Sequence, residues 1–431
     1  MFLRRLFGKG GGGVESAVQQ LLELCNALMA ESGEYASTAL AREAIDAYEA
    51  LDERGREQFF DILARDYSPS PEAVSQSAAA YQADPSPANL ARLFATVEPA
   101  RQELFRRLNM APGGTVSLVE MRKELLKSVR TRPHWAVIDA DLLHLLRSWF
   151  NRGFLRLERI DWRTPAIILE KLIEYEAVHA IQGWRDLRRR LETDRRCFAF
   201  FHPQLPDEPI IFIEVALTRS MSAHIQPLLD VSSPVSAANC DCAMFYSITN
   251  CQEGLRGISF GNLLIKQVAE ELRREFPHLR RFATLSPLSG FRRWLEQKRV
   301  ERPNELALLS KLDQPDWHLG EVPDTLQRML MRLCAFYLLK AKQAAEPLDP
   351  VARFHLGNGA ALERINWMGD ISATGMARSA GLMVNYVYWL NEVERNHERY
   401  WREKLIATSP ALEKLARECP LAAPAEKGAA A

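Results

Sequence analysis

The sequence has no excess of either charge: 55 Lys and Arg face 55 Asp and Glu, so the formal net charge is zero. Without a global basic field, nucleic acid is a poor default partner, although a local pocket for an anionic ligand stays open. No run of about eighteen apolar residues occurs, so nothing reads as a membrane span. Cysteine supplies no framework either. The seven residues Cys25, Cys197, Cys240, Cys242, Cys251, Cys334 and Cys419 are scattered and odd in number. They form no Cys-x-x-Cys pair, and Cys240-Asp241-Cys242 lacks a second clustered pair, which argues against a zinc or other metal site. Reduced thiols in a reducing compartment, the cytoplasm, are the expectation.

The two ends say little about chemistry. Met1-Phe2-Leu3-Arg4-Arg5-Leu6-Phe7 is basic and amphipathic like the start of a targeting peptide. Gly10 to Gly13 cut it short and no serine-rich extension follows, so residues 1–13 are expected to be a flexible tail. Residues 421–431, rich in Ala, Glu, Lys and Gly, read the same way and carry no Ser-Lys-Leu address.

At 431 residues the chain exceeds one ordinary core and should hold at least two domains. Residues 14–153 are patterned as helices almost throughout. Val14, Val18, Leu21, Leu22, Cys25, Leu28 and Met29 form one apolar stripe, and Asp84-Pro85-Ser86-Pro87 and Ala111-Pro112-Gly113-Gly114 punctuate the run as turns. No nucleophile stands beside a base here, so this half is expected to support or oligomerise the rest.

From residue 154 to 420 strands and helices mix. Phe154 to Ile160 alternates like a strand, and Thr164-Pro165 reads as the cap and first position of a helix. A helix follows over Trp184–Leu191, then strands over Cys197–Phe201, Ile210–Leu217 and Ala243–Ile248. After a helix from about Phe260, a strand is expected at Arg281–Leu285, a helix at Gly290–Lys298, and a last strand at Leu382–Leu390. Residues 303–345 read as a helical insertion.

One stretch points to a ligand. Gln252-Glu253-Gly254-Leu255-Arg256-Gly257-Ile258-Ser259-Phe260-Gly261-Asn262 joins an apolar strand to a helix with Phe260, Leu264, Val268, Leu272 and Phe276 on one face. Small residues before a helix start leave backbone N–H groups beside the positive end of the helix dipole, which suits phosphate or pyrophosphate. A glycine-containing turn with no ligand is the plainer alternative. The element order resembles the N-acetyltransferase-like (GNAT) fold, whose coenzyme A turn reads Arg/Gln-x-x-Gly-x-Gly/Ala. Arg256 to Gly261 fits that turn except that Ser259 stands at the central glycine.

Four further runs are more specific: Arg147-Ser148-Trp149-Phe150-Asn151-Arg152-Gly153-Phe154-Leu155, Thr284-Leu285-Ser286-Pro287-Leu288-Ser289-Gly290-Phe291, Arg353-Phe354-His355-Leu356-Gly357-Asn358-Gly359-Ala360, and Arg364-Ile365-Asn366-Trp367-Met368-Gly369-Asp370 leading to Asn385-Tyr386. In this order, from about Arg147 to Leu390, they closely resemble the malonyl-CoA decarboxylase family. The resemblance implies an α+β chain overall: an all-α N-terminal helical domain, then a GNAT-like α/β domain with a mixed central sheet.

It implies further that Ser286 and His355 are catalytic and that Arg256, Gly257, Ile258, Ser259, Phe260, Gly261 and Asn262 bind coenzyme A, Ser259 through its backbone alone. No metal and no separate cofactor are implied, because coenzyme A is part of the substrate. The partners would be malonyl-CoA and acetyl-CoA, with a homotetramer as the assembly. Taken singly, Ser286 before Pro287 reads as a helix cap and His355 as a structural histidine. Trp367, Tyr386, Tyr388 and Trp389 read as core, and the basic face of Arg292, Arg293, Lys298 and Arg299 as a solvated helix surface, with contact to the ribose phosphate of coenzyme A as the alternative. An acyl-CoA-dependent N-acyltransferase and a non-catalytic acyl-CoA-binding scaffold are the competing functions.

Overall fold

A computed structural model describes residues 12–230, 236–258, 264–314 and 316–422. Contacts divide these into two units. The first holds residues 12–155 with 202–206 and 252–258; the second holds 156–201, 207–230, 236–251 and the described residues from 264 onward.

The first unit is helical. Its main helices are Gly12–Ala30, Glu34–Glu49, Glu53–Asp66, Pro71–Ala83, Pro87–Val97, Ala100–Leu108, Gly114–Ser128 and Ala136–Trp149. Three begin on side-chain caps that satisfy otherwise orphaned N–H groups: Asp52 accepts from Gly55, Ser70 from Ala73 and Ser86 from Asn89. The stripe read on the first helix is its buried face, with Val18, Leu21, Cys25 and Leu28 all sealed from solvent. At the centre of the bundle Arg101 meets Asp141 at 2.5 Å, a buried charge held by its partner.

The second unit is built on a sheet. Its strands are β1 (Arg156–Ile160), β2 (Arg195–His202), β3 (Leu205–Thr218), β4 (Cys242–Asn250), β5 (Arg281–Thr284) and β6 (Ser286–Pro287). A small separate ribbon, β7 (Lys342–Gln343) and β8 (Glu346–Pro347), precedes β9 (Ala361–Asn366) and β10 (Met383–Val387). The order is β1-β2-β3-β4-β5-β10-β6, with β9 on the other edge of β10. Antiparallel pairs dominate, but β4 and β5 run parallel, so the sheet is mixed as expected. Alternate residues of β4 (Cys242, Met244 and Tyr246) pack into one apolar cluster with Leu285 and Met383. A second cluster joins β1 and β2 to Ile168, Leu169 and Leu172 of the helix Ala166–Tyr175.

Several local expectations need correction. Thr164 does not cap the helix Ala166–Tyr175, since its hydroxyl accepts the Asp161 N–H in the preceding turn at 3.0 Å and Pro165 occupies the cap. Strands β6 and β9 fall where no strand was expected: β6 is two residues long and ends in proline, and β9 carries Glu363 and Arg364 in its middle. The insertion contains one long helix, Asp324–Leu339, and a 3-10 segment, Ala307–Asp313. All seven cysteines are buried and unpaired. Among the described residues no helix is long and apolar enough to cross a membrane. The tail residues 1–11 and 423–431 lie outside the described residues.

Gly359 shows why its motif carries glycine. Its φ is +83°, and a Cβ there would lie 2.1 Å from the Val393 carbonyl oxygen. Gly359→Ala is therefore expected to lower unfolding free energy by about 2 kcal/mol or more, read as a reduced urea midpoint at unchanged m-value.

Candidate active site

The sheet splits beside β4. Strand β4 is bonded to β5 from Cys242 opposite Arg281 to Phe245 opposite Thr284, and no further. Beyond Phe245 it runs on to Asn250 with no strand on that side. The split is sharpened by a bulge: Glu214 faces Ser247 and Val215 faces Phe245, so Tyr246 is an extra residue in β4. A cavity of about 250 Å³ opens there, walled by Phe245 to Ile248 and Asn250 on one side and by Leu285, Ser286 and Pro287 on the other. The helix Pro350–Gly357 contributes Pro350, Val351, Phe354 and His355, and Val178 completes the wall.

Ser286 and His355, separated by 69 positions in sequence, meet in this cavity with Oγ and Nε2 3.0 Å apart. Ser286 sits in β6, opposite Val384 of β10, and the next helix begins only at Phe291 with Gly290 at its cap. The helix-cap reading of Ser286 therefore falls. His355 is carried near the end of a helix started by Asp349, whose buried carboxylate accepts the Ala352 N–H at 2.8 Å and the Tyr337 hydroxyl at 3.2 Å. Burial pushes the Asp349 carboxyl above its usual range.

The hydrogen-bond chain has a direction. Tyr388, almost fully buried, places its hydroxyl 2.9 Å from His355 Nδ1, and among the described residues the phenol has no second partner. Burial holds the phenol well above its ordinary pKa, so it keeps its proton. An enclosed hydroxyl with one neighbour gives its proton to that neighbour, so Nδ1 accepts and the imidazole hydrogen sits on Nε2. Nε2–H then donates to Ser286 Oγ, and Ser286 donates onward to Thr284 Oγ1 at 2.8 Å. Thr284 Oγ1 also accepts the Tyr386 N–H at 3.2 Å, and the Tyr386 ring stacks on the imidazole at 4.6 Å between centroids. Each member fixes the next.

Charge is scarce in this cavity. Burial lowers the His355 pKa to about 3, so the ring is neutral at physiological pH. Among the described residues no Asp, Glu, Lys or Arg lines the cavity. Behind Ser247 of the wall, the Glu176 carboxylate is occupied: it accepts two backbone N–H groups, from Val178 and His179, and the hydroxyls of Ser247 and Thr249.

The expected coenzyme A turn lies in the first unit as far as it is described. Ser259, Phe260, Gly261 and Asn262 fall outside the described residues. Gly257 has φ +82°, which suits glycine. Arg256 and Ile258 use their N–H groups inside the turn, on the carbonyls of Glu253 and Leu255, so those two are not free donors. The turn is pinned by buried Arg122, which donates to the carbonyls of Gly254 at 2.6 Å and Arg256 at 2.8 Å and is paired with Asp139 at 2.8 Å. Nothing near Arg122 in sequence announces this contact, because its partners lie 132 and 134 positions away.

On the helix Phe291–Glu301 the basic face is largely paired with nearby carboxylates, Arg292 with Glu296 and Lys298 with Glu301 of the same helix and Arg299 with Asp313 of the 3-10 segment, which is the solvated-face reading. Tyr386 and Tyr388 are indeed buried, yet they touch the imidazole rather than merely filling core. Their period-2 spacing on a strand was the available signal. Trp389 is partly exposed.

Two family profiles match the chain. The malonyl-CoA decarboxylase N-terminal domain covers residues 67–150 and the C-terminal domain residues 153–427. Curated relatives named mitochondrial malonyl-CoA decarboxylase include the Anser anser anser protein, 39% identical over 72% of this chain and 68% of its own length. The Rattus norvegicus protein is 38% identical over 74% and 71%. Among solved structures, malonyl-CoA decarboxylase from Rhodopseudomonas palustris is 48% identical with a TM-score of 0.89, covering 92% of this chain and 99% of that one. That from Agrobacterium vitis is 47% identical with a TM-score of 0.86 over the same shares. A profile matching more than half the sequence, together with relatives of this identity along most of it, shows that the chain belongs to the malonyl-CoA decarboxylase family.

Proposed function

We infer that the protein is a carboxy-lyase that converts malonyl-CoA to acetyl-CoA and CO2. The observation that carries this reading is the Ser286–His355 contact inside a cavity that, among the described residues, no charged side chain lines, in a chain of this family. Cleaving the bond between the α-carbon and the carboxylate releases CO2 and leaves the electron pair on the α-carbon, delocalised onto the thioester oxygen. A carboxylate brought among Phe245, Val351 and Phe354 loses much of its hydration, while neutral CO2 loses nothing comparable. The enolate then takes one proton at carbon.

Ser286 and His355 are the groups we propose for these steps. With Nε2–H bonded to Ser286, the imidazole acts as a neutral donor behind the hydroxyl. Ser286 turns its own proton from Thr284 towards the substrate, steadies the thioester oxygen or the departing carboxylate, and gives that proton to the α-carbon; the resulting alkoxide, held by the His355 Nε2–H, regains one proton from water as acetyl-CoA leaves. Coenzyme A enters as part of the substrate, and residues 256–262 are proposed to receive its pyrophosphate. A cytoplasmic homotetramer is proposed as the assembly, supported by the exposed Tyr35, Phe94, Val97 and Met110 of the helical unit. Light scattering should return four chain masses.

Incubation with malonyl-CoA alone should yield CO2 and acetyl-CoA in equal amounts. Turnover that waits for an added amine would instead identify an N-acyltransferase. Ser286→Ala and His355→Asn should each lower kcat by about 10²- to 10⁴-fold at near-parental unfolding midpoint.

The buried imidazole also fixes a pH response. Burial holds its pKa at about 3 in the fold against 6.5 for a free imidazole, so between those values the unfolded chain binds a proton that the native chain does not. Stability from this group is complete above about pH 6.5 and falls as pH drops towards 3, at up to about 1.4 kcal/mol per pH unit. Urea unfolding at pH 7.5 and pH 5 should show a smaller acid loss for His355→Asn than for the parent. The profile of kcat/KM should show no break near 6.5 from this histidine.

A further inference from the structure

We propose that Thr284 and Asn385 are positioning residues that set the direction of the Ser286 hydroxyl, a role resting on the assignment of Ser286 above. The argument begins with the interruption between β5 and β6. Val387 of β10 stands opposite Ala283 and Val384 opposite Ser286, so one register continues across the gap and Thr284 and Leu285 fall opposite Tyr386 and Asn385. At the gap the ladder changes character. Leu285 turns its N–H to the Phe245 carbonyl of β4 at 2.9 Å. Its neighbour Thr284 is held to β10 through side chains: the Asn385 Nδ2 donates to the Thr284 carbonyl at 2.7 Å, and the Tyr386 N–H donates to the Thr284 hydroxyl oxygen.

Asn385 is fully enclosed and its amide is saturated. Nδ2 gives its second hydrogen to the Ser222 carbonyl at 3.1 Å, and Oδ1 accepts from Asn366 Nδ2 at 2.9 Å and Arg364 Nε at 3.1 Å. Two donors and two lone pairs are all engaged, so the side chain has one orientation and cannot be traded for a carboxylate without turning it against two carbonyls. Arg364 is itself anchored on the Met221 and Ser222 carbonyls. The run Arg364 to Asn366 and Asn385, singled out in the sequence without a chemical role, thereby locks Thr284 from behind. Thr284 in turn presents the hydroxyl oxygen that accepts from Ser286 at 2.8 Å. With His355 Nε2–H on one side and Thr284 Oγ1 on the other, the resting serine rotamer is determined, and the hydroxyl waits within one rotation of the cavity.

The test is a double-mutant cycle in malonyl-CoA decarboxylation. Thr284→Val keeps the shape and removes the acceptor; it should lower kcat about tenfold or more with KM within about threefold, while Thr284→Ser restores kcat to within about threefold of the parent. Asn385→Ala should behave like Thr284→Val; if it does not fold, as judged by circular dichroism and urea midpoint, the threonine pair decides alone. Combined with Ser286→Ala, each substitution should cost less than about twofold, because the group it aims is gone. The proposal is overturned if Thr284→Val stays within about twofold of the parent, or if its loss is equally large in the Ser286→Ala background, which marks a merely structural contribution. A Ser286→Ala enzyme of near-parental activity would instead remove the serine assignment itself, and the positioning role with it.

Discussion

The site depends on a sheet that stops and restarts within one residue. Had β5 continued through Leu285, its edge would have closed on β4 and no room would remain between them. The chain keeps its register on β10 throughout, with Ala283 opposite Val387 and Ser286 opposite Val384, but its last bond to β4 is from Leu285 to Phe245, so beyond it the serine faces the split. The bulge at Tyr246 on the facing strand widens the same opening. Strand β10 and the residue that follows it then serve both Ser286 and His355, since Asn385 secures the Thr284 carbonyl beside Ser286 while Tyr386 and Tyr388 hold the His355 ring.

A second constraint is the scarcity of charge around that opening, since among the described residues no Asp, Glu, Lys or Arg lines it. The hydrogen-bond partners of Ser286 and His355 are themselves buried groups, so the fold sets the direction of each bond. Burial also keeps the His355 ring uncharged at physiological pH.

Much of the framework could be read from the sequence, for identifiable reasons. The stripe from Val18 to Leu28 and the run at β4 announced themselves because burial on one face of a helix, or within a sheet, leaves a period that side chains cannot disguise. Ser286 and His355 were reachable through the family resemblance, not through their own surroundings. Thr164-Pro165 misled because the same dipeptide serves a cap or a turn, and the tertiary context chose the turn. β9 was hidden by Glu363 and Arg364, whose charge argues against a strand until Arg364 is seen clasping two asparagines. Arg122 and Asn385 act across more than a hundred positions, and such pairings leave no local trace.

The seven enclosed sulfurs have a practical corollary. Every cysteine is buried, and for Cys25, Cys197, Cys242, Cys251 and Cys334 burial raises the thiol pKa far enough that thiolate is scarce at neutral pH. Peroxide, maleimides and disulfide reagents act through thiolate and need access to it, and the native protein denies them both. Alkylation with a bulky electrophile thus becomes a clock for opening of the fold: each sulfur reports when its own surroundings have come apart, and the handling of the enzyme in air leaves its covalent state as translated.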